Sequence, residues 1–228
     1  MASTFSDLGI ELMATGENAG TWGTKTNNNL NLIEQLTGGF ATLSIAGGAG
    51  TQNLDIDDGA LTGTAQQRII EFTGSITGNR IITIPNDVET FYILKNSTSG
   101  AYTVQFKYAT GSGSSTTFSA TDKGIKTIYA SANDGTNPDI VDVMANSSEI
   151  VLANNNPIKF NDADNSAFVG IDAPATVSGS YTLTLPAAVG SASQALVTTD
   201  GAGTLGFTST SSFGITTGKA IAMAIVFG

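Results

Sequence analysis

Carboxylates are the side chains of this 228-residue sequence that could carry out chemistry. The sequence contains no histidine and no cysteine, so a Ser-His-Asp triad, a thiolate nucleophile and an imidazole-bound metal are excluded. Asp87 with Glu89, or Glu71 with a neighbour across a sheet, could in principle serve as the acid and nucleophile of a glycosidase. We favour the alternative that these are solvated charges at strand edges. The sequence therefore predicts a protein that is not an enzyme and has no catalytic residues.

Two acidic clusters could be interpreted as calcium sites. They are Asp55, Asp57 and Asp58 in LDIDDG, and Asp162 with Asp164 in NDADN. Neither cluster supplies a full set of oxygen ligands at loop spacing, and both lack the terminal bidentate glutamate of a calcium loop. We therefore predict no metal site and no cofactor.

The composition favours a β-rich fold. Hydrophobic residues make up 40% of the chain, which is enough for a globular core, but only 12% are charged and 27 are glycine. Small polar side chains compete for backbone hydrogen bonds, and glycine carries an entropic cost in a helix. The elements that position any functional residue are thus expected to be strands and turns.

The charge balance and the chain's beginning exclude several functional classes. A net charge of −10, with nine scattered basic residues, makes nucleic-acid binding an unfavourable interpretation. Asp7 and Glu11 interrupt the region where a signal peptide would need a basic start and an apolar stretch. Without cysteine there are no disulfides, so we expect oligomerisation to stabilise the protein.

The sole tryptophan lies in the stretch ATGENAGTWGTKTNNNLNLIEQ. A glycine-bounded turn presents a large rigid ring here, and exposed aromatic side chains are common anchors of protein interfaces. We therefore predict that residues 1–43 form an attachment segment whose contacts are made by Thr21, Trp22, Gly23, Leu30 and Ile33. The alternative is that Trp22 fills the core of its own small domain.

The residues after this tryptophan predict a short helix and then a linker. The spacing of Leu30, Ile33 and Leu36 fits one to three helical turns, capped by Thr26 or Asn27 and ended by Gly38-Gly39. The following residues 44–53 carry little apolar surface, and we interpret them as a flexible linker.

Residues 54–145 are predicted to form an antiparallel β-sandwich-like domain. Tyr102, Val104, Phe106 and Tyr108 alternate with polar residues, as in a strand with one buried and one solvated face. Turn sequences separate this strand from the others, as an antiparallel sandwich requires, and we see no internal repeat. The other predicted strands cover 68–72, 80–84, 90–96, 125–131 and 139–144.

The last third of the chain is expected to fold only together with the same segment of other copies. Residues 146–212 place short apolar pairs between turns, and no stretch is long enough to bury a core alone, which is typical of an intertwined trimeric shaft. The apolar run Ala220 to Phe227 is too short to span a membrane and would aggregate if exposed. We predict that residues 213–228 form a buried assembly segment. The predicted oligomer interface comprises Phe207, Ile221, Met223, Ile225 and Phe227.

Three segments resemble tail-fibre and related virion proteins of marine bacteriophages. They are the tryptophan-containing N-terminus, the run IIEFTGSITGNRIITIP followed by LKNSTSGAYTVQFK, and the module IKFNDADNS, YTLTLP and TTDGAGTLGF, in which Phe207 stands where the family usually has tryptophan. The resemblance implies a virion structural protein, made in the host cytoplasm. It further implies a short homotrimeric tail fibre that docks to the tail through its N-terminus and takes part in host adsorption.

The partners implied are other virion proteins, two further copies of the chain and a host surface receptor, with no nucleic acid and no membrane insertion. A head decoration protein or head fibre attached to the capsid is the alternative function. A carboxylate-dependent glycan hydrolase is a third, less favoured one.

Overall fold

The computed structural model describes residues 2–132, 135–152 and 156–213. The chain divides into two compact units, Met1–Ile150 and Val151–Gly228. Strands dominate both, which confirms the expectation of a mainly β protein. The predicted assembly residues Ile221, Met223, Ile225 and Phe227 lie outside the described residues.

The first unit begins with a small hairpin and an α-helix. Strands β1 (Thr4–Phe5) and β2 (Glu11–Leu12) pair antiparallel, and helix α1 (Trp22–Gly38) follows. Further strands then follow: β3 (Phe40–Ser44), β4 (Gly50–Asn53), β5 (Ile69–Thr73), β6 (Arg80–Ile84), β7 (Thr90–Asn96), β8 (Val104–Tyr108), β9 (Thr116–Phe118), β10 (Ile125–Ala130) and β11 (Ile140–Asp142). All the strands predicted from the alternating pattern between residues 68 and 144 are present within a few residues of their expected bounds.

Two sheets form the body of this unit. The five-stranded sheet has the order β11-β10-β7-β5-β3, and the four-stranded sheet has the order β4-β6-β8-β9. The chain alternates between them, so that β3 and β4, β5 and β6, and β7 and β8 form three successive coils. Neighbouring coils pair parallel in both sheets. The arrangement is a short parallel β-solenoid of two strands per coil.

The prediction of antiparallel pairing is therefore wrong for the centre of the domain. The expectation that the chain has no internal repeat is also wrong. Ile69 pairs with Ile93 and Arg80 pairs with Val104, which is an offset of 24 residues in both sheets. Antiparallel pairing is confined to the last strands, where β9 pairs with β8, β10 with β7 and β11 with β10. Glycine-rich turns fit either topology, because they reverse the chain both between paired strands and at solenoid corners.

The core lies between the two sheets. Phe72 and Tyr92 from the five-stranded sheet meet Phe106 from the four-stranded sheet, with ring centroids 6.4 and 5.7 Å apart. Aliphatic side chains from both sheets complete one continuous buried cluster, which includes Ile70, Leu94, Ile82 and Ile84. Because successive side chains of a strand point to opposite faces of the sheet, these residues share the inner face.

The predicted linker is part of this core. Residues 44–53 contain the end of β3, a corner and all of β4, and Ile45 is fully buried. The Ile45 N–H donates to the Thr73 carbonyl at 2.9 Å, and Gly47 bridges to Ile76 on the next coil. The linker interpretation was wrong because backbone pairing with β5 and β6 orders a segment whose side chains are small.

In the part that is described, the second unit contains two hairpins, and Thr184 forms a parallel bridge to Thr204 beside the second one. Strands β12 (Ile158–Asn161) and β13 (Phe168–Ile171) pair antiparallel, as do β14 (Gln194–Thr198) and β15 (Leu205–Ser209). A 3-10 helix at Thr210–Phe213 follows. None of the described residues of this unit is buried. Two-stranded sheets are marginal in water, and among the described residues of this unit no buried core supports them.

Candidate attachment surface

The tryptophan predicted to be an anchor is the first residue of α1. The helix begins four residues before the predicted cap at Thr26, with Thr21 at the N-cap position, and it ends at Gly38 as expected. The Thr21 and Trp22 N–H groups donate to the Asn18 carbonyl at 3.0 and 2.8 Å. The preceding turn therefore fixes the backbone of Trp22 at the start of the helix.

Three of the predicted contact residues form an exposed apolar stripe on α1. Trp22 is 65% exposed, Leu30 58% and Ile33 44%. At 3.6 residues per turn these positions lie within roughly 80° of each other around the axis, spread over about 16 Å of its length. The alternative that Trp22 fills its own domain's core is wrong. We call this surface, formed by Trp22, Leu30 and Ile33, the helix stripe.

A neighbouring side of α1, which by the same helical geometry begins next to Trp22, holds the helix against the domain. Leu32 and Leu36 are buried there. Asn29 accepts a hydrogen bond from the Glu11 N–H at 3.0 Å and donates from Nδ2 to the Glu11 carbonyl at 2.8 Å, so its amide binds β2 as a neighbouring strand would. Asn28 Nδ2 donates to the Gly59 carbonyl at 2.6 Å. The asparagine-rich run is thus the docking side of the helix.

An ion pair reinforces this attachment near the start of α1. Lys25 Nζ lies 2.9 Å from Glu11 Oε2, and Asn18 Nδ2 donates to Glu11 Oε1 at 3.3 Å. The hydrogen bond from Lys25 lowers the pKa of the Glu11 carboxyl. The helix stripe is therefore presented by a helix whose orientation is fixed by polar contacts on the neighbouring side.

The Glu71 carboxylate, a candidate for catalysis, is bound on the outside of the five-stranded sheet. Lys95 Nζ lies 2.8 Å from Glu71 Oε1, which also accepts from Ser97 Oγ at 2.6 Å. The hydrogen bond from Lys95 lowers the pKa of Glu71. A general acid needs a raised pKa, so these contacts oppose that role.

The candidate calcium residues hold turns together. Thr64 donates from its N–H to Asp55 Oδ1 at 3.0 Å, and Thr62 Oγ1 donates to Asp57 Oδ2. In the β12–β13 turn, Ser166 donates to both Asp162 and Asp164. Across the described ranges, no group of three or more acidic side chains is placed to hold a metal ion.

The other candidate carboxylates line two open clefts. Glu89 lines a cleft of about 540 Å³ together with Asp7, Phe91 and Tyr129. Asp87 lines a different cleft of about 360 Å³. The two clefts are neighbours, since Ser6 and Asp7 line both of them.

Of the predicted oligomer residues, Phe207 is the one that lies within the described part. It is partly exposed on β15, and a Cβ added at Gly190 would lie 2.6 Å from its ring. The ring therefore packs on the backbone of Gly190 while its other side remains open. Thr21 and Gly23 flank Trp22 as predicted but contribute little apolar surface.

The sequence analysis missed one exposed aromatic group. Phe40 on β3, Phe91 on β7 and Tyr129 on β10 are exposed on the outward face of the five-stranded sheet. Phe91 and Tyr129 are register partners. The alternation within TFYILKN and IKTIYAS indicates these outward positions, but only the pairing of β7 with β10 shows that they are adjacent.

Comparisons with protein-family models, with curated proteins and with solved structures gave no match to this chain. Among the described residues, no helix is long and apolar enough to cross a membrane.

Proposed function

We propose that this chain is a bacteriophage virion structural protein, a short homotrimeric tail fibre that attaches to the tail through its N-terminal segment. The observation that carries the proposal is the helix stripe. It combines the chain's tryptophan with Leu30 and Ile33 on a helix that is held against the domain by its buried side. A rigid, exposed aromatic and aliphatic patch is the kind of surface that forms the centre of protein interfaces.

Exposed apolar side chains in the second unit support the trimeric part of the proposal. Each hairpin there presents large side chains to solvent, among them Phe160, Val169 and Leu196. Two-stranded sheets without a covered face gain too little burial to remain folded alone. Neighbouring chains that cover these faces would supply the missing core, as in an intertwined shaft.

A structural role also fits the bound carboxylates. Glu71, Asp55 and Asp162 accept hydrogen bonds from residues of their own sheet or turn. They contribute to the fold, and we propose no reaction for them. Host adsorption, through a receptor bound by the distal part of the fibre, belongs to the same proposal.

Cryo-electron microscopy of virions, with and without the gene for this chain, tests the location. We expect density at the tail that is lost when the gene is deleted and restored when it is supplied. Density lost from the capsid surface instead would support the head-fibre alternative. Particles whose protein content and density do not change would overturn the proposal.

A further inference from the structure

The two ends of the solenoid differ. At the far end, the chain around the edge strands β9 and β11 is tied together, because the Ile140 N–H donates to the Ser114 carbonyl at 3.1 Å and Ser114 Oγ donates to the Ile140 carbonyl at 3.0 Å. Thr116 Oγ1 also donates to Asp142 Oδ2 at 3.4 Å. At the near end the edge strands are β3 and β4, and within the described part of the chain no such bond joins them. The first coil is therefore the open end of the solenoid.

Strand β3 leaves a row of backbone groups unpaired at this end. The Ile45 N–H, directly after β3, donates to the Thr73 carbonyl on the side of β5. Because backbone groups point to alternate sides along a strand, Phe40, Thr42 and Ser44 direct their N–H and C=O groups away from β5. We call these three residues the open edge. All three are exposed.

The core is also incompletely covered at the open end. Leu43 packs against the core but is only partly buried, whereas its register partner Phe72 is fully buried. On β4, the inward position opposite the fully buried Ile82 is taken by the polar Gln52. Each coil of a solenoid is covered by its neighbour, so a terminal coil needs a cap. A strand added beside β3 would cover Leu43.

Nothing in the sequence of the first coil guards the open edge. Natural edge strands avoid unwanted pairing through charged side chains, proline or bulges. Residues 38–54 contain no charged residue and no proline, and β3 pairs with β5 without a bulge. The edge is therefore competent to accept a further strand.

We propose that the open edge binds an extended segment of the virion protein to which this chain attaches, and that this segment adds to the five-stranded sheet as a strand beside β3. The inference rests on the proposed attachment and gives one of its contacts. Main-chain hydrogen bonds supply the affinity in this mode of recognition, and neighbouring clefts for side chains supply the specificity.

The open edge is continuous with the helix that carries the helix stripe. Helix α1 ends at Gly38, and Phe40 begins β3. The helix binds β2 and, through Gln35, the loop after β4, so it leaves the edge uncovered. A cleft of about 470 Å³ lies where α1 and β3 meet, lined by Glu34, Gln35 and Phe40 among others. Glu34 is the charged residue of this lining and favours a basic side chain on the incoming segment.

A second copy of this chain fits the open edge less well. Antiparallel pairing of β3 with β3 of another copy relates the two chains by a two-fold axis. That contact generates a dimer and not the proposed trimer. An extended segment of a different protein has no such restriction.

Amide hydrogen exchange of the unaltered protein tests the inference. Mass spectrometry with electron-transfer fragmentation resolves single amides, first in the purified protein and then in purified virions. In the purified protein, the Thr42 and Ser44 amides should exchange rapidly, whereas the Leu43 amide, which faces β5, should be protected. In virions we expect exchange at Thr42 and Ser44 to slow by roughly a hundredfold or more, with Leu43 unchanged.

A proline substitution tests the same edge by mutation. Thr42→Pro removes a donor of the open edge and no bond to β5, so the fold is kept, as circular dichroism should show. Thr51→Pro is the matched control on β4, because the Gly50 N–H bonds to the Asn79 carbonyl and the next amide points away from β6. We expect Thr42→Pro to lower the copies per virion by about tenfold or more and Thr51→Pro to be incorporated normally.

The outcomes separate this inference from the proposed function. Virions that lack the wild-type chain contradict both. Virions that contain the chain while Thr42 and Ser44 exchange as in the purified protein contradict strand addition and leave attachment through the helix stripe standing. Protection of both amides already in the purified trimer would assign the edge to another copy and would also overturn the inference. If Thr42→Pro does not fold, the exchange of the wild-type amides decides.

Discussion

Phe72 and Asn96 are register partners on neighbouring coils of the solenoid, and both side chains are fully buried. Where the second coil contributes a ring to the core, the third coil contributes an amide. Asn96 Nδ2 donates to the Asp122 carbonyl at 2.7 Å, and its Oδ1 accepts from Thr98 Oγ1 at 2.8 Å. The amide therefore ties the last parallel coil to the segment that enters β10.

Asn96→Leu tests the role of this amide. The substitution keeps the approximate volume but removes the donor to the Asp122 carbonyl and the acceptor of the Thr98 N–H. We expect the free energy of unfolding to fall by about 1–3 kcal/mol, the cost of unsatisfied buried polar groups. Denaturant unfolding measures this loss, with Asn31→Ala on the exposed side of α1 as a control. An unchanged or higher stability would show that the hydrogen bonds of the amide do not stabilise the fold.

The Tyr108 hydroxyl likewise joins two segments of the chain through buried hydrogen bonds. It donates to the Val88 carbonyl at 2.7 Å and accepts from the Ala132 N–H at 2.8 Å. Burial raises the pKa of Tyr108 to about 12, so the hydroxyl stays protonated at neutral pH. We expect Tyr108→Phe to lower the free energy of unfolding by about 1–2 kcal/mol without a change in the secondary structure. A calorimetric melt as stable as that of the wild type would contradict this.

The Glu11–Lys25 pair gives a pH dependence with a defined sign. The pKa of Glu11 is lowered below its ordinary value of 4.5, so the folded state favours the carboxylate. Its stabilising effect is present above pH 4.5 and is lost as the pH falls through the lower value. We expect Glu11→Gln to reduce stability at pH 7 and to make unfolding less dependent on pH below 4.5. Lys25→Met should have the same effect, whereas parallel profiles for wild type and Glu11→Gln would contradict the assignment.

The sequence allowed the strands to be predicted but not their directions. The alternation in residues 102–108 and its neighbours located the strands, since period two is a local property. Parallel pairing depends on contacts between residues far apart in the sequence. In the five-stranded sheet, β5 and β7 pair with an offset of 24 residues, whereas β3 and β5 pair with an offset of 29 residues. The difference arises at the 15-residue segment 54–68, which lies between β4 and β5. This insertion hid the repeat from the sequence.

The positions of the candidate attachment residues could be predicted in part, because helical spacing is also a local property of the sequence. The spacing of Leu30 and Ile33 predicts a helix, whereas the glycine neighbours of Trp22 predict a turn ahead of that helix. The three residues share one exposed face because the helix begins at Trp22, and the sequence did not predict this start. The adjacency of Phe91 and Tyr129 could not be predicted, because it depends on which strands pair.

The C-terminal run remains a prediction from the sequence, since it lies outside the described residues. In a strand, Ile221, Met223 and Ile225 would share one face, opposite the alanines. Burial of three such side chains contributes roughly 1.5–3 kcal/mol each. We expect Ile221→Asp or Ile225→Asp to cause dissociation or aggregation, measured by light scattering. Variants that assemble normally but lose host binding would identify an exposed tip instead.

Incorporation of Trp22→Ala into virions is the most direct test of the account. Truncation of an interface anchor typically costs about 2–4 kcal/mol, which weakens binding roughly 30- to 700-fold. Because Trp22 is exposed, the variant should fold as the wild type does. Tyr102→Ala, another partly exposed aromatic residue away from α1, is the matched control. Copies per particle are counted by quantitative mass spectrometry of purified virions. The account predicts that folded Trp22→Ala protein is missing from particles that retain Tyr102→Ala protein, whereas normal incorporation of Trp22→Ala would contradict it.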